Sequence, residues 1–285
     1  MKKPVCVDTA KAGCGEGLVW DVRRACLWWV DISGEVLHRF DPSTGQGTRI
    51  KMPYLISAVA LHHDGRLIIA TAEGLGIVDE SNGVIKIIMH PERYLSGNRL
   101  NDIVAAPDGN LWAGTMSEGA KAATGALYRI GLGGVDKMME NTTISNGMDW
   151  SPDGTKLYFI DSVPGVLYVF SDNEWRVLFR FDETVGRPDG LCVDSAGMLW
   201  VAICDRGQVI GMTPDGKITE QIELPCEIVT NCAFGGSDLK TLYVTTGTFS
   251  MSEAEKLENP LAGGLFAVEM GVAGKAAYFL EWPAS

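Results

Sequence analysis

Residues 145–162 read SNGMDWSPDGTKLYFIDS, and they hold two turn signals where a β-hairpin needs one. Asn146-Gly147 is a strong two-residue hairpin turn, yet Ser151-Pro152-Asp153-Gly154 is another, only four residues further on. A repeat decides between them. A polar turn followed by a short apolar strand occurs six times: RRACLWWV (23–30), HDGRLIIA (63–70), PDGNLWAG (107–114), PDGTKLYFI (152–160), SAGMLWVA (195–202) and SDLKTLYVT (237–245). Their leucines, Leu27, Leu67, Leu111, Leu157, Leu199 and Leu242, are separated by 40, 44, 46, 42 and 43 residues, the spacing of β-propeller blades. On this alignment 151–154 is the hairpin turn. Asn146-Gly147 falls instead beside Glu16-Gly17, Asn101-Asp102 and Asp189-Gly190, at the entrance to the preceding strand.

Each unit continues into a glycine and an alternating apolar strand: GEVLHRF from 34, GIVDES from 76, GALYRI from 125, GVLYVF from 165, GQVIGM from 207 and GLFAVE from 264. Period-two alternation marks strands with two different faces, and helical periodicity is almost absent. The expected fold is all-β: a six-bladed β-propeller of four-stranded antiparallel blades around a central channel, one domain over residues 1–285. Two β-sandwiches would not explain one unit recurring at one period throughout. PVCVDTA (4–10) is placed to pair near the C-terminus and fasten first blade to last. Two units carry extra length, TMSEGAKAATG (115–125) and TGTFSMSEAEKLENPLAGG (246–264); each is either a binding loop or a solvated insertion.

The formal net charge of −12 and the lack of a Lys/Arg run argue against nucleic acid and anionic membrane surfaces as partners. No apolar run is long enough to span a bilayer and the N-terminus has no signal-peptide core, so a cytoplasmic protein is expected, monomeric or weakly homo-oligomeric. The seven cysteines include no C-x-x-C pair, which disfavours a disulfide framework or structural zinc. Cys14, two residues from Glu16, is either a small buried hydrophobe or, less readily, a nucleophile.

Counting back ten or eleven residues from each leucine gives Glu16, Ile56, Asn101, Asn146, Asp189 and Asn231. These head the first strand of each blade, the strand that lines a propeller's channel. Any one of them reads as an ordinary turn residue, but five acidic or carboxamide side chains in one register read as a ring. Converging carboxylates require a cation or ordered water between them. Oxygen ligands suit one hard divalent cation, Ca²⁺, Mg²⁺ or Mn²⁺, with Fe²⁺ possible and Zn²⁺ disfavoured. Such an ion would support ester hydrolysis without serine or histidine. G-x-S-x-G is absent and none of His38, His62, His63 and His90 falls in the ring; His62 and His63 are expected to face solvent. Arg99, on the same side as Asn101 in an extended segment, either binds substrate or pairs with Asp102 or Glu118.

The stretches GEGLVWD, NRLNDIVAAPDGNLWAGTM, ISNGMDWSPDGTKLYFIDS, GRPDGLCVDSAGMLWVA, TNCAFGGSDLKTLYVTT and PLAGGLFAV run in order along nearly the whole chain. In them the sequence resembles the regucalcin (senescence marker protein) and gluconolactonase family, its bacterial sugar lactonases most of all. The resemblance implies a propeller with one divalent cation, hydrolysing aldonolactones in carbohydrate catabolism. It implies Glu16, Asn146 and Asp189 as metal ligands, Asp189 as general base, and Arg99, Asn101 and Glu118 as substrate contacts. Cys204, in VAICDRG, stands where many bacterial members carry Trp, which bears on the pocket wall. A non-catalytic calcium-binding regulatory propeller is the alternative; an interaction scaffold is disfavoured because blade-end Trp-Asp signatures are missing.

Overall fold

The computed structural model describes residues 2–282 and arranges them as six four-stranded antiparallel sheets in a ring, the six-bladed β-propeller that the repeat predicts. The innermost strands of blades 1 to 6 are Gly15–Asp21, Ile56–Leu61, Asn98–Ala105, Ser145–Trp150, Pro188–Val193 and Val229–Gly235. They contact one another in a closed circle around the channel. Residues 151–154 form the hairpin turn of blade 4: Gly154 takes a φ of +70° and its N–H donates to the Ser151 carbonyl at 2.8 Å.

Alternation along the second strand of each blade joins neighbours. The repeat leucine turns toward the preceding blade and the residue after it toward the following one. Thus Leu67 packs with Trp28 and Val30 of blade 1, whereas Ile68 packs with Leu100 and Leu111 of blade 3. The same division places Leu157 against Trp112 and Tyr158 against Leu191 and Val201. Six apolar clusters therefore sit in the six gaps between blades, and fully burying each such side chain is worth about 1.5–3 kcal/mol.

Closure uses the chain's first strand. Val5–Asp8 pairs antiparallel with Leu265–Glu269 as the outermost strand of blade 6, with Val5 opposite Ala267. Asp8 reaches across to blade 1, where Arg49 donates to it at 2.8 Å. Deleting residues 1–8 should lower Tm and expose the Leu265–Glu269 edge, promoting self-association; thermal denaturation and size-exclusion chromatography check both effects.

At the other end of the chain, residues 273–282 run beneath the channel, touching blade after blade. Ser195 donates to the Ala273 carbonyl at 2.9 Å, Lys275 pairs with Asp149, and Leu280 exchanges backbone bonds with Leu61 and His63. This crossing overturns one expectation. His63 is exposed, but His62 is fully buried, because the Leu280 segment covers it in a parallel bridge. Its Nδ1 lies 2.6 Å from Asp64. Among the described residues no helix is long and apolar enough to cross a membrane.

Candidate active site

All six innermost strands carry a β-bulge at the same end, at or beside the ring position found by counting. Asn101-Asp102 oppose the single residue Gly114, Asn146-Gly147 oppose Ile160, and Asp189-Gly190 oppose Ala202. An extra residue suspends strict alternation and re-aims side chains. Glycine follows Asn146 and Asp189 for want of room: a Cβ on Gly147 would stand 2.6 Å from the Asp189 carbonyl oxygen, and one on Gly190 2.3 Å from the Asn231 carboxamide. Gly147 is thus a close-approach glycine, required by the neighbouring blade rather than by its own φ.

The ring opens into a cavity of about 370 Å³ lined by Glu16, Arg99, Asn101, Asn146 and Asp189, with Cys14, Ile32, Met116 and Phe249 among its walls. Four of the predicted residues are joined in one hydrogen-bonded chain. Arg99 donates to Asn101 Oδ1 at 2.9 Å, Asn101 Nδ2 to Asn146 Oδ1 at 3.2 Å, and Asn146 Nδ2 to Asp189 Oδ1. On the other side Asn231 Nδ2 donates to Glu16 Oε2 at 2.8 Å. Blade 2 contributes Ile56, fully buried, and nothing to the cavity. Arg99 forms no ion pair with Asp102 or Glu118 among the described residues. Its guanidinium turns instead to Asn101 and to the Leu100 carbonyl.

Glu118 stands apart: it is exposed at the rim, does not line the cavity, and acts on Arg99 only through its charge. The sequence reading missed Arg187, which lines the cavity and donates to Cys204 Sγ at 3.4 Å. A signal for it existed, because Arg187 precedes Asp189 by the same two residues that separate Arg99 from Asn101. Cys14 reaches the cavity, but burial, then the charges of Glu16 and Asp189, push its thiol well up, which suits a wall rather than a nucleophile.

Electrostatics mark the ring as cation-hungry. Burial, then the Asp189 and Asp102 charges, push the Glu16 carboxyl well above the usual carboxylate range. Burial lifts Asp189 to about 7 despite bonds from Cys204 and Asn146 and the Arg187 charge. Asp102, deeper in the channel, is also raised to about 7, by burial and by Asp189 and Asp149. No Lys or Arg forms an ion pair with Glu16 or Asp189 among the described residues. No three His, Cys, Asp or Glu side chains converge among them either. Buried carboxylates that repel one another, flanked by carboxamide oxygens, fit a hard divalent cation.

These shifts have a consequence for the metal-free protein. A carboxyl raised from about 4 to about 7 on folding stabilises fully below pH 4, and that contribution is lost as pH climbs to about 7. His38, lowered to about 4 by burial, acts oppositely over part of that window, so the clean quantity is a difference between variants. Asp102→Asn should leave Tm near the wild-type value below pH 4, where Asp102 is protonated in both the folded and the unfolded chain, and raise it progressively as pH climbs, most of all at pH 8. Differential scanning calorimetry on chelator-treated protein checks this.

The SMP-30/Gluconolactonase/LRE-like region family matches residues 14–248. YvrE of Bacillus subtilis (strain 168), named as a sugar lactone lactonase, is 37% identical over 273 residues, covering 93% of this chain and 94% of that protein. The 6-deoxy-6-sulfogluconolactonase of Pseudomonas putida is 33% identical over 279 residues, covering 95% and 96%. Among solved structures, the calcium-binding protein regucalcin from Agrobacterium tumefaciens str. C58 superposes with a TM-score of 0.93 at 29% identity, over 98% of each chain. Sequence match, blade architecture and superposition over nearly the full length agree: the chain belongs to the SMP-30/gluconolactonase/LRE-like family.

Proposed function

We propose that the protein hydrolyses a sugar lactone, an aldonolactone, to its aldonic acid, with one divalent cation held by Glu16, Asn146 and Asp189. The observation that carries this reading is the pair of buried carboxylates, Glu16 and Asp189, without ion-pair partners among the described residues and lining a cavity beside Arg99. Relatives named as lactonases support the substrate class, and the likeness to a calcium-binding regucalcin supports the cation. Ca²⁺, Mg²⁺, Mn²⁺ and Fe²⁺ all suit these oxygen donors; Zn²⁺ suits them less.

When bound, the cation supplies Lewis acidity toward the lactone carbonyl. The chain's own residues supply the rest. Burial gives Asp189 the proton affinity of a general base at neutral pH, suited to accepting the proton of an attacking water. Arg99 offers guanidinium donors to the substrate's oxygens, held in place by Asn101. Met116, Ile32 and Phe249 give the cavity apolar walls beside these polar groups. We place this reaction in cytoplasmic carbohydrate catabolism.

The test is acid release from pentono- and hexonolactones by chelator-treated protein to which single cations are restored. Turnover with at least one cation is expected. Cation binding without turnover of any lactone would instead favour a calcium-binding regulatory propeller, the reading for which the regucalcin likeness also speaks.

A further inference from the structure

A second cavity, of about 250 Å³, lies against the first under the 246–264 insertion. Arg187, Cys204 and Phe249 line both, so the two share a wall. The first cavity alone is at the small end of ligand sites, which run from roughly 300 to 1,000 Å³; the second extends it sideways. We propose that the side cavity is a subsite for a second sugar ring, and that the substrate is a glycosylated aldonolactone, a disaccharide lactone. This rests on the lactonase reading above.

The lining selects the occupant. Asp205, Glu227 and Glu255 bring three carboxylates against the single Arg187 guanidinium, which disfavours an anionic extension. The same polar groups disfavour an acyl chain, whose burial would desolvate them without replacing their hydrogen bonds. A neutral polyol meets them well. The Glu227 carboxylate has no hydrogen-bond or ion-pair partner among the described residues, although its backbone carbonyl accepts from the Gly207 N–H at 2.8 Å. Glu255 uses only Oε2, on Ser252, and Asn259 keeps Oδ1 free while Nδ2 donates to the Glu255 carbonyl at 2.9 Å. These free oxygens are acceptors for sugar hydroxyls. Phe249, 38% exposed at the passage between the cavities, offers an apolar face for the C–H side of a pyranose. The insertion is tied at its ends, where the Gly247 N–H donates to the Ile228 carbonyl at 3.0 Å and the Ala12 N–H to the Gly263 carbonyl at 2.8 Å, and it contains a short helix, Glu253–Glu258, with a full capping box from Ser252 and Glu255.

The test measures acid release above the spontaneous rate, with the activating cation, from glucono-1,5-lactone and from cellobiono-, maltobiono- and lactobiono-1,5-lactone. At least one disaccharide lactone should show a tenfold higher kcat/KM than gluconolactone. Ser250→Trp, which fills the side cavity, and Glu227→Ala, which removes a free acceptor, should each erase that advantage and leave gluconolactone turnover unchanged. No advantage for any disaccharide lactone, or equal losses on both substrate classes, overturns the subsite and leaves the lactonase reading standing. If no lactone is turned over, the lactonase reading falls. The subsite is then judged by saturation-transfer NMR with cellobionate, maltobionate and lactobionate. Saturation of the non-reducing ring that Ser250→Trp abolishes supports it, and none in the wild type overturns it.

Discussion

Asp189→Ala should reduce lactone hydrolysis by about 10³-fold or more, because general-base catalysis contributes about 10²–10⁴ and the same carboxylate is a proposed cation ligand. Loss of folding is not the expected cause. Asp189 is buried beside Glu16 and Asp102 without a basic ion-pair partner among the described residues, and its ionised form costs stability in the metal-free protein. Removing it should leave Tm at pH 8 equal to or above the wild-type value when both proteins are free of metal. Asp189→Asn preserves shape and a hydrogen bond with Asn146 but cannot accept the proton, so it should be nearly as inactive. Initial rates of acid release, with calorimetric titration of the cation, separate the two roles. A variant with intact cation affinity and full rate would remove Asp189 from the mechanism.

Chelation is expected to abolish activity and a single divalent cation to restore it. Restoration should also raise Tm. A ligand that binds only the folded state at 100 times its Kd stabilises by about 2.7 kcal/mol, which, against an unfolding entropy of about 0.6 kcal/mol/K for a chain of this size, corresponds to roughly 4–5 °C. The sign follows from the ring: the cation replaces repulsion between Glu16 and Asp189 with attraction to both, so the gain should be larger at pH 8 than at pH 5. Glu16→Gln and Asn146→Ala should weaken cation affinity and shrink the Tm increment in step with activity. Full activity after exhaustive chelation would be incompatible with the proposed role of the ion.

The ring was legible for a local reason. Strand alternation and turn chemistry act over a few residues, and a 40- to 46-residue step brings equivalent residues into one register. Counting back from Leu157 thus reaches Asn146, and counting back from Leu199 reaches Asp189, the two side chains that meet in the cavity. His62 shows where that logic stops: its neighbours in sequence form a solvent-facing turn, and its burial comes from Leu280, more than two hundred residues away. Glu118 shows it too, since whether a loop residue reaches inward depends on how the loop folds over the mouth.

By itself, then, the sequence determined the blade number, the closing role of Val5–Asp8, the register of the channel strands and the oxygen-only character of the ring. Only the tertiary structure decided that a bulge at or beside each ring position re-aims those side chains and that Arg187 lines the cavity. It also showed residues 273–282 running beneath the channel and a second cavity opening under the 246–264 insertion. The physical reason is range. Periodicity records which face each residue presents to its own sheet. Convergence around the axis is set by contacts between blades, which no local pattern encodes.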